Sequence, residues 1–258
     1  MKKMLLILII LCLAVTAEAA VKTLVVEYKQ GDTVLEGYLA WDDATNISRP
    51  AVLVVHEWTG LGPYVKKRAE MLAELGYVAF AADIYGKGVR PVTPAEAGKT
   101  AGIYKNDRGL MRARVKAGLD TLTAQKFVDP KRLAAIGYCF GGTTVLELAR
   151  DGADIKGVVS FHGGLSTPAP QDAKNIKAKV LALHGADDPF VKADEVAGFQ
   201  EEMRKAGLDW QFVSYGGAVH SFTNPDAGND NSKGSAYNEK ADKRSWEATK
   251  LFFTEIFK

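Results

Sequence analysis

Residues 137–141 read Gly-Tyr-Cys-Phe-Gly and lie between a segment of strand character and a segment of helical character. Residues 132–136 form a short, mostly apolar run, and residues 143–150 carry apolar side chains at spacings of three and four. In a Gly-x-nucleophile-x-Gly pattern the central residue occupies a strained turn between strand and helix. Small residues two positions on either side let the two backbones pass closely. The pattern makes Cys139 a candidate nucleophile, with an inert buried cysteine as the alternative.

The first 19 residues have the pattern of a signal peptide. Lys2 and Lys3 form a basic start, residues 5–15 form an apolar stretch, and Ala-Glu-Ala at 17–19 favours cleavage before Ala20. The alternative is a membrane anchor, but this stretch is short for a hydrocarbon core of about 30 Å. We therefore expect an exported protein, periplasmic or secreted, without stable membrane association.

Cleavage would leave residues 20–258, which is enough chain for a single α/β domain. It would remove Cys12, so Cys139 would be the single cysteine and no intramolecular disulfide could form. Of 33 basic and 31 acidic residues, 31 and 30 would remain, for a net charge of +1. Neither a basic stripe nor a long run of charge is present in the sequence, so we expect no nucleic-acid partner.

Segments of strand and helical character alternate along the chain. The expected strands are 21–28, 33–40, 51–55, 77–82, 132–136, 157–161, 180–183 and 210–215, and the expected helices are 63–75, 111–123, 143–150, 192–205 and 236–256. This order predicts an α/β fold with a mostly parallel sheet, opened by a hairpin and covered by helices on both faces. Residues 86–100 and 224–235 are expected to be loops that form walls of the site.

A thiol nucleophile needs a base, and the base needs an acid that fixes its tautomer. Asp188 follows a strand and a glycine turn, as such an acid should, whereas the neighbouring Asp187 is more typical of a capping residue. His220 is the candidate base because it lies beyond the acid in a glycine-rich loop. The other three histidines follow buried strands and are expected to be hydrogen-bonded structural residues near the site: His56, His162 and His184.

Residues 56–60 read His-Glu-Trp-Thr-Gly. The zinc motif His-Glu-x-x-His is incomplete because Gly60 replaces its second histidine, and no other cluster of cysteine or histidine has metal spacing. The sequence therefore predicts neither a metal nor a cofactor. In nucleophile-elbow enzymes, this loop supplies one oxyanion-binding N–H and the residue after the nucleophile supplies the other. Those donors would be the backbone N–H groups of Trp58 and Phe140.

These features together resemble the dienelactone hydrolase (carboxymethylenebutenolidase) family, which has the α/β-hydrolase fold. The similarity extends through nearly the whole chain from about residue 23 and rests on four motifs and the acid turn. The motifs are Gly-Tyr-Cys-Phe-Gly-Gly at 137–142, His-Glu-Trp-Thr-Gly at 56–60, Ala-Asp-Ile-Tyr at 82–85 and Val-His-Ser-Phe at 219–222. The resemblance implies a small-molecule ester or lactone as substrate, and hydrolysis through an acyl-thiol intermediate.

The resemblance also assigns roles to individual residues. It implies a Cys139–His220–Asp188 triad, and it implies that Glu57 contacts the resting thiol and helps to convert it into thiolate. From the residues alone, Glu57 is equally well explained as a carboxylate that caps its loop.

The substrate-binding positions depart from the family pattern. Family members bind a substrate carboxylate with two arginines, where this chain has Lys87, two residues after Tyr85, and Asn224. Lysine lacks the bidentate fork of arginine, and asparagine carries no charge. We therefore expect a preference for neutral or weakly charged substrates over dienelactone, unless another cation such as Arg90 binds the carboxylate.

The sequence thus predicts a hydrolase for a small ester, lactone or thioester. One alternative is a general carboxylesterase or thioesterase without preference for lactones. Another is a non-catalytic exported protein that binds a ligand, or that uses the thiol of Cys139 in redox chemistry without a resolving cysteine.

Overall fold

The structure, a computed structural model, describes residues 20–43 and 47–258. The predicted signal peptide, residues 1–19, lies outside the described residues. Eight strands are found in the described part of the chain: β1 (Val21–Gln30), β2 (Thr33–Asp42), β3 (Arg49–Val55), β4 (Val78–Ala82), β5 (Val128–Tyr138), β6 (Gly157–Phe161), β7 (Lys179–Gly185) and β8 (Trp210–Tyr215). The helices are α1 (Pro63–Glu74), α2 (Pro94–Asn106), α3 (Arg108–Thr123), α4 (Phe140–Arg150), α5 (Ala193–Lys205) and α6 (Glu239–Ile256).

The strands form one sheet in the order β1-β2-β4-β3-β5-β6-β7-β8. The first two strands are an antiparallel hairpin, and β2 joins β4 in antiparallel orientation. Every later pair is parallel, from β4 and β3 through to β7 and β8. The predicted α/β-hydrolase fold, a mostly parallel sheet opened by a hairpin, is confirmed.

Two apolar clusters cover the two faces of the sheet. On one face, strand residues such as Leu53 pack with residues of the α3, α4 and α5 helices, including Phe199. On the other face, residues such as Val54 pack with the α1 and α6 helices, including Leu72 and Phe253. Because the inner parallel strands are covered on both sides, they are almost continuously apolar in sequence. This rigid sheet carries the loops at the carboxyl ends of its strands.

The prediction of a loop at residues 86–100 is wrong for the second half of that segment. Within residues 86–100, a helix (α2) begins at Pro94, directly after Thr93. The Thr93 hydroxyl accepts the N–H of Glu96 at 3.2 Å, and the Glu96 carboxylate accepts the N–H of Thr93 at 3.2 Å. This reciprocal capping box satisfies two N–H groups that the first helical turn leaves free, and therefore starts the helix there.

The other expected loop, 224–235, is irregular apart from two short 3₁₀ turns, Pro225–Ala227 and Asn231–Lys233. A third 3₁₀ turn, Pro170–Asn175, precedes β7. In residues 20–43 and 47–258, we find no helix with both the length and the apolar character needed to span a bilayer.

Candidate active site

The carboxyl ends of adjacent parallel strands bring the candidate residues to one edge of the sheet. Glu57 follows β3, Cys139 follows β5, Asp188 lies beyond the end of β7, and His220 lies beyond the end of β8. Cys139 has φ 54° and ψ −114°, and the helix α4 begins at the next residue. Strand, tight turn and helix therefore follow one another as the elbow pattern predicts.

The flanking glycines of the elbow are required by close backbone contacts. A Cβ atom at Gly137 would lie 2.0 Å from the carbonyl oxygen of Gly141. A Cβ atom at Gly141 would lie 2.2 Å from the carbonyl oxygen of Val55. Both neighbours are backbone atoms, so a larger residue at either position would displace the strand or the helix.

Backbone strain is concentrated at this site. In the described part of the chain, the non-glycine residues with positive φ are Cys139, His162 and Ser221, at 54°, 40° and 55°. Each such conformation costs on the order of 1–3 kcal/mol and persists only where the surrounding structure holds it. All three residues belong to the loops that surround the thiol.

Asp188 and His220 form a close pair. Nδ1 of His220 lies 2.7 Å from Oδ2 of Asp188, and Oδ1 of Asp188 accepts the N–H of Phe190 at 2.9 Å. The Asp188 side chain is fully buried, whereas Asp187 is exposed. Because a carboxylate can only accept, the Nδ1 of His220 carries a proton and its Nε2 is left for the reaction. The geometry thus pairs Asp188, not Asp187, with the histidine.

The electrostatic surroundings favour the charged form of His220. Burial alone would lower its pKa, but the charge of Cys139 and the hydrogen bonds that the imidazole donates to Asp188 and Cys139 outweigh burial and raise the pKa to about 10. The imidazole is therefore protonated at neutral pH and faces the thiol. His220 is thus the charged group that faces the candidate nucleophile.

Glu57 is buried beside this pair. Its carboxylate accepts a hydrogen bond from Nδ2 of Asn224 at 2.6 Å. Burial raises the pKa of Glu57, while hydrogen bonds from Asn224 and Ser221 and the charge of His220 oppose the shift. The structure thus places Asn224 against Glu57.

His56 anchors the loop that carries Glu57. The N–H of Ile84 donates to Nε2 of His56 at 3.2 Å, so the proton of the neutral ring lies on Nδ1 and is donated to the carbonyl oxygen of Glu57 at 2.6 Å. Burial lowers the pKa of His56 to about 4, which keeps the ring neutral. His56 is therefore a hydrogen-bonded structural residue.

The two residues predicted to bind the oxyanion line the same cleft as Cys139. Phe140 is the first residue of the helix that follows Cys139, so its N–H has no acceptor within that helix. The loop containing Trp58 is held by Tyr85, whose hydroxyl donates to the carbonyl oxygen of Trp58 at 2.9 Å. Tyr85 itself is buried and accepts a hydrogen bond from Tyr104 at its own carbonyl oxygen.

His162 makes a contact that sequence reasoning missed. The backbone N–H of Cys139 donates both to the carbonyl oxygen of Phe161 at 3.0 Å and to Nδ1 of His162 at 3.1 Å. Since Nδ1 accepts, the ring proton lies on Nε2, which donates to the Thr223 hydroxyl at 2.7 Å. That hydroxyl also lies 2.6 Å from the hydroxyl of Tyr64. His162 therefore connects the elbow with the loop that carries the catalytic histidine candidate.

The neutral form of His162 is maintained by its surroundings. Burial lowers the pKa of His162 well below its usual value, and the positive charges of His220 and Arg68 lower it further. The only sequence signal for this role was the position of His162 at the end of the strand next to the elbow strand.

A cleft of about 470 Å³ opens above Cys139 and His220. Its wall is mostly apolar, with Trp58 and Phe190 as its aromatic members. Two lysines that the sequence analysis did not select, Lys105 and Lys233, also line it. In the described part of the chain, no group of three His, Cys, Asp or Glu side chains lies close enough to hold a metal ion.

The three residues expected to bind substrate do not line this cleft. Tyr85 lies behind it, and Asn224 contacts Glu57. Lys87 is exposed and forms an ion pair with Glu27, with Glu36 at 4.0 Å. Its ammonium group is thus held at the edge strands by two carboxylates, which explains why it does not point into the site. Arg90 is likewise engaged, by the carbonyl oxygen of Leu61 at 2.6 Å.

Comparison with known proteins identifies the family and supports the fold. The sequence model of the dienelactone hydrolase family matches residues 35–257. The chain is 31% identical to Protein usf of Aquifex pyrophilus, over 89% of this chain and 97% of that protein.

Two solved structures are similar over 93% of this chain and the whole of theirs. One, m3DLH, is 43% identical with a TM-score of 0.90. The other, a dienelactone hydrolase-like promiscuous phosphotriesterase from metagenomic libraries, is 42% identical with a TM-score of 0.88. The fold, the order of the motifs and these similarities identify the chain as a hydrolase that belongs to the dienelactone hydrolase family.

Proposed function

We propose that this protein hydrolyses a small ester, lactone or thioester through an acyl-thiol intermediate on Cys139. The observation that carries the proposal is the 2.7 Å contact between Asp188 and His220. The imidazole of His220 in turn faces Cys139, which has a positive φ at the turn between strand and helix. A protonated imidazole beside a thiol supplies both an activated nucleophile and a proton for the leaving group.

In the first half-reaction, Sγ of Cys139 attacks the carbonyl carbon of the substrate. The new C–S bond pushes an electron pair onto the carbonyl oxygen, where the N–H groups of Trp58 and Phe140 stabilise the negative charge. As the carbon–oxygen bond of the ester breaks, His220 gives its proton to the departing alkoxide. Removal of one such N–H donor typically costs about 10²- to 10³-fold in rate.

In the second half-reaction, water attacks the acyl-thiol carbon. Neutral His220 now acts as base and takes a proton from that water, while Asp188 stabilises the imidazolium that forms. The C–S bond then breaks, and the carboxylic acid and the thiolate of Cys139 are released. The site returns to its starting protonation state.

Glu57 is proposed to act on the resting thiol, as the family resemblance implies. In that arrangement Asn224 is a positioning residue for Glu57, since its amide donates to the Glu57 carboxylate at 2.6 Å. In this branch Cys139 rests as the thiol. Substrate binding that disturbs the Asn224–Glu57 hydrogen bond frees the carboxylate to accept the thiol proton, and the Glu57 carboxyl group returns that proton to the thiolate after the carboxylic acid has left.

The proposal is tested by turnover of p-nitrophenyl acetate by residues 20–258. We expect hydrolysis by the wild type, loss of about 10³-fold or more in Cys139→Ala, and inactivation by iodoacetamide. A wild-type mass increase equal to the acyl group, found after rapid acid quench and absent from Cys139→Ala, would identify the intermediate. Equal turnover by Cys139→Ala would refute the proposal, and so would reversible thiol oxidation without turnover on any ester.

Phosphotriester hydrolysis is a second candidate. It is favoured by the 42% identity to a structure described as a promiscuous phosphotriesterase. The same thiolate and N–H donors would serve attack on phosphorus: a P–S bond forms, the P–O bond to the aryl group breaks, and an aryloxide leaves with the proton of His220. A diethyl aryl phosphate in the substrate panel distinguishes the two activities by the ratio of their kcat/KM values.

Export is part of the proposal and rests on the pattern of residues 1–19. Expression of the full chain in a bacterial host, followed by N-terminal sequencing of the protein from the periplasmic fraction, should give Ala20 as the first residue. Recovery of an uncleaved chain in the membrane fraction would favour an anchor instead.

A further inference from the structure

A second cleft of about 580 Å³ adjoins the catalytic cleft, and Phe190 lines both of them. The two also meet at consecutive residues: Gly164 lines the catalytic cleft and Leu165 lines the neighbouring one. Phe190 therefore lies at the boundary that the two clefts share. We call the second cleft the outer cleft.

Phe190 is placed where it can contact a substrate. Its side chain is 60% exposed, and its ring lies edge-on to the His220 ring with a centroid distance of 5.5 Å. On the other side, the chain at Gly234 approaches so closely that a Cβ atom there would lie 3.1 Å from the Phe190 ring. An exposed aromatic side chain at the edge of a catalytic cleft provides apolar contact area for a ligand.

The outer cleft has an apolar part, and two of the three acids that line it, Glu195 and Glu202, accept hydrogen bonds from within the protein, while the exposed Lys192 and Asp194 lie at its edge. Leu165 and Phe199 are both 2% exposed and line this cleft. Glu195 accepts the N–H of Leu165 at 2.6 Å, and Glu202 accepts two N–H groups of Arg150 at 2.8 Å each. A polar or cationic ligand would compete with these bonds, whereas an apolar chain would leave them intact.

We propose that the outer cleft is an extension of the substrate site that binds the apolar chain of an ester whose carbonyl carbon lies at Cys139. This inference rests on the proposed hydrolase function and specifies its substrate class as esters with an extended aliphatic or aryl acyl group. The acyl chain would leave the catalytic cleft past Phe190, along the wall formed by residues 164–165.

Gly198 allows the outer cleft to be filled without touching the catalytic machinery. It lines this cleft from the helix α5, and no atom lies within 4 Å of a Cβ built at this position. Gly198→Phe should therefore fold normally and place an aromatic ring in the cleft. Gly198→Ala is the matched control, because it makes the same change of backbone preference with almost no added volume.

The experiment measures kcat/KM for p-nitrophenyl esters from acetyl to decanoyl. For the wild type we expect a rise with chain length, by up to about fourfold for each methylene that enters the apolar cleft. In Gly198→Phe, kcat/KM for the octanoyl ester should fall by about tenfold or more. For the acetyl ester it should stay within about twofold of wild type, and Gly198→Ala should match wild type throughout.

The results separate this inference from the proposed function. Acetyl ester turnover that depends on Cys139, combined with a chain-length profile unchanged by Gly198→Phe, would overturn the extended site and leave the hydrolase intact. Absence of turnover dependent on Cys139 would refute the hydrolase itself. Phe190→Ala provides a second measurement, for which we expect octanoyl turnover to fall relative to acetyl turnover because the ring that contacts the acyl chain is removed.

Discussion

The backbone N–H of Cys139 donates a hydrogen bond to Nδ1 of His162 at 3.1 Å. This hydrogen bond helps to fix the backbone of the candidate nucleophile, although His162 takes no part in the proposed chemistry. His162 passes the connection to Thr223, three residues beyond His220. The buried ring of His162 therefore links the turn at Cys139 to the loop that carries His220.

We expect replacement of His162 to impair the geometry of the site. His162→Leu removes one of the two acceptors of the Cys139 N–H and the donor to Thr223, and should lower kcat by about ten- to a hundredfold. His162→Asn should restore much of the loss, because its Oδ1 occupies the place of Nδ1 and asparagine tolerates positive φ. The measurements are kcat and the rate of iodoacetamide alkylation of Cys139.

Alkylation distinguishes positioning from a purely structural role. If His162→Leu is folded, alkylates at the wild-type rate and keeps the wild-type kcat, then His162 does not position the thiol. Far-ultraviolet circular dichroism and the melting temperature serve as the folding control for both variants.

His220 should make stability depend on pH. Its folded-state pKa of about 10 lies above the unfolded value of about 6.5. Between these values the folded state binds more protons, so the stabilisation is fully present below about pH 6.5 and is lost as pH rises towards 10. The free energy of unfolding of the wild type should exceed that of His220→Gln by on the order of 1–3 kcal/mol at pH 6 and by little at pH 10.

This dependence is measured by urea unfolding of both proteins at pH 6, 8 and 10. The difference reports His220 together with Asp188 and Cys139, because the substitution also removes the charge that acts on those two groups. The prediction fails if the difference in the free energy of unfolding between the two proteins grows as pH rises. Asp188 and Cys139 would then not hold the proton on the imidazole.

Local patterns predicted most of the fold and the positions of the candidate residues at the ends of strands, because each was encoded within a few residues. The glycines around Cys139 are required by contacts of 2.0–2.2 Å, and the acid and the histidine follow strands in the expected order. The helix at Pro94 was missed although Thr93 and Glu96 form a capping box, a signal that three residues carry. With that helix missed, Lys105 could not be assigned to the catalytic cleft.

The remaining site features depend on side-chain direction and on pairing between distant segments. Lys87 was expected in the site from its spacing after Tyr85, yet it pairs with Glu27 on the first strand. Asn224 contacts Glu57, which lies 167 residues away in the chain. Neither pairing follows from local sequence, because the partners meet only after the sheet has formed.

A buried ion cluster supports the wall of the outer cleft. Arg150 is 1% exposed, lies 2.8 Å from Glu202 and 3.1 Å from Glu147, and donates to the carbonyl oxygen of Leu165 at 2.9 Å. Arg150→Met would leave two buried carboxylates without this partner and should cost about 3–5 kcal/mol in the free energy of unfolding. Urea denaturation measures this loss.

The control for Arg150 is an exposed pair. Lys116 and Asp120 lie on the surface of the helix α3, so Lys116→Met should change stability by no more than about 0.5 kcal/mol. A loss below about 1 kcal/mol in Arg150→Met would contradict the structural importance of the buried cluster.

The lysines of the catalytic cleft bear on substrate charge. The expected preference for neutral substrates rested on Lys87 and Asn224, but the side chains that bring positive charge to the cleft wall are Lys105 and Lys233. Both are exposed, so each should contribute about 0.5–1 kcal/mol to the binding of an anion. Lys105→Ala/Lys233→Ala should therefore lower kcat/KM for a carboxylate-bearing lactone by about five- to thirtyfold relative to a neutral lactone of equal size.

Salt provides an independent measurement of the same effect. Raising the ionic strength from about 0.01 to 0.5 M shortens the screening length from about 30 Å to a few ångströms, so the wild-type preference for the anion should decline towards that of the double variant. Lys87→Ala is the matched control, since it removes an exposed lysine that pairs with Glu27 outside the cleft. Equal loss in Lys87→Ala would show that the overall charge of the protein attracts the anion. If the ratio of kcat/KM for the anionic lactone to kcat/KM for the neutral lactone is unchanged in the double variant, the two lysines do not select the substrate and the apolar wall of the cleft does.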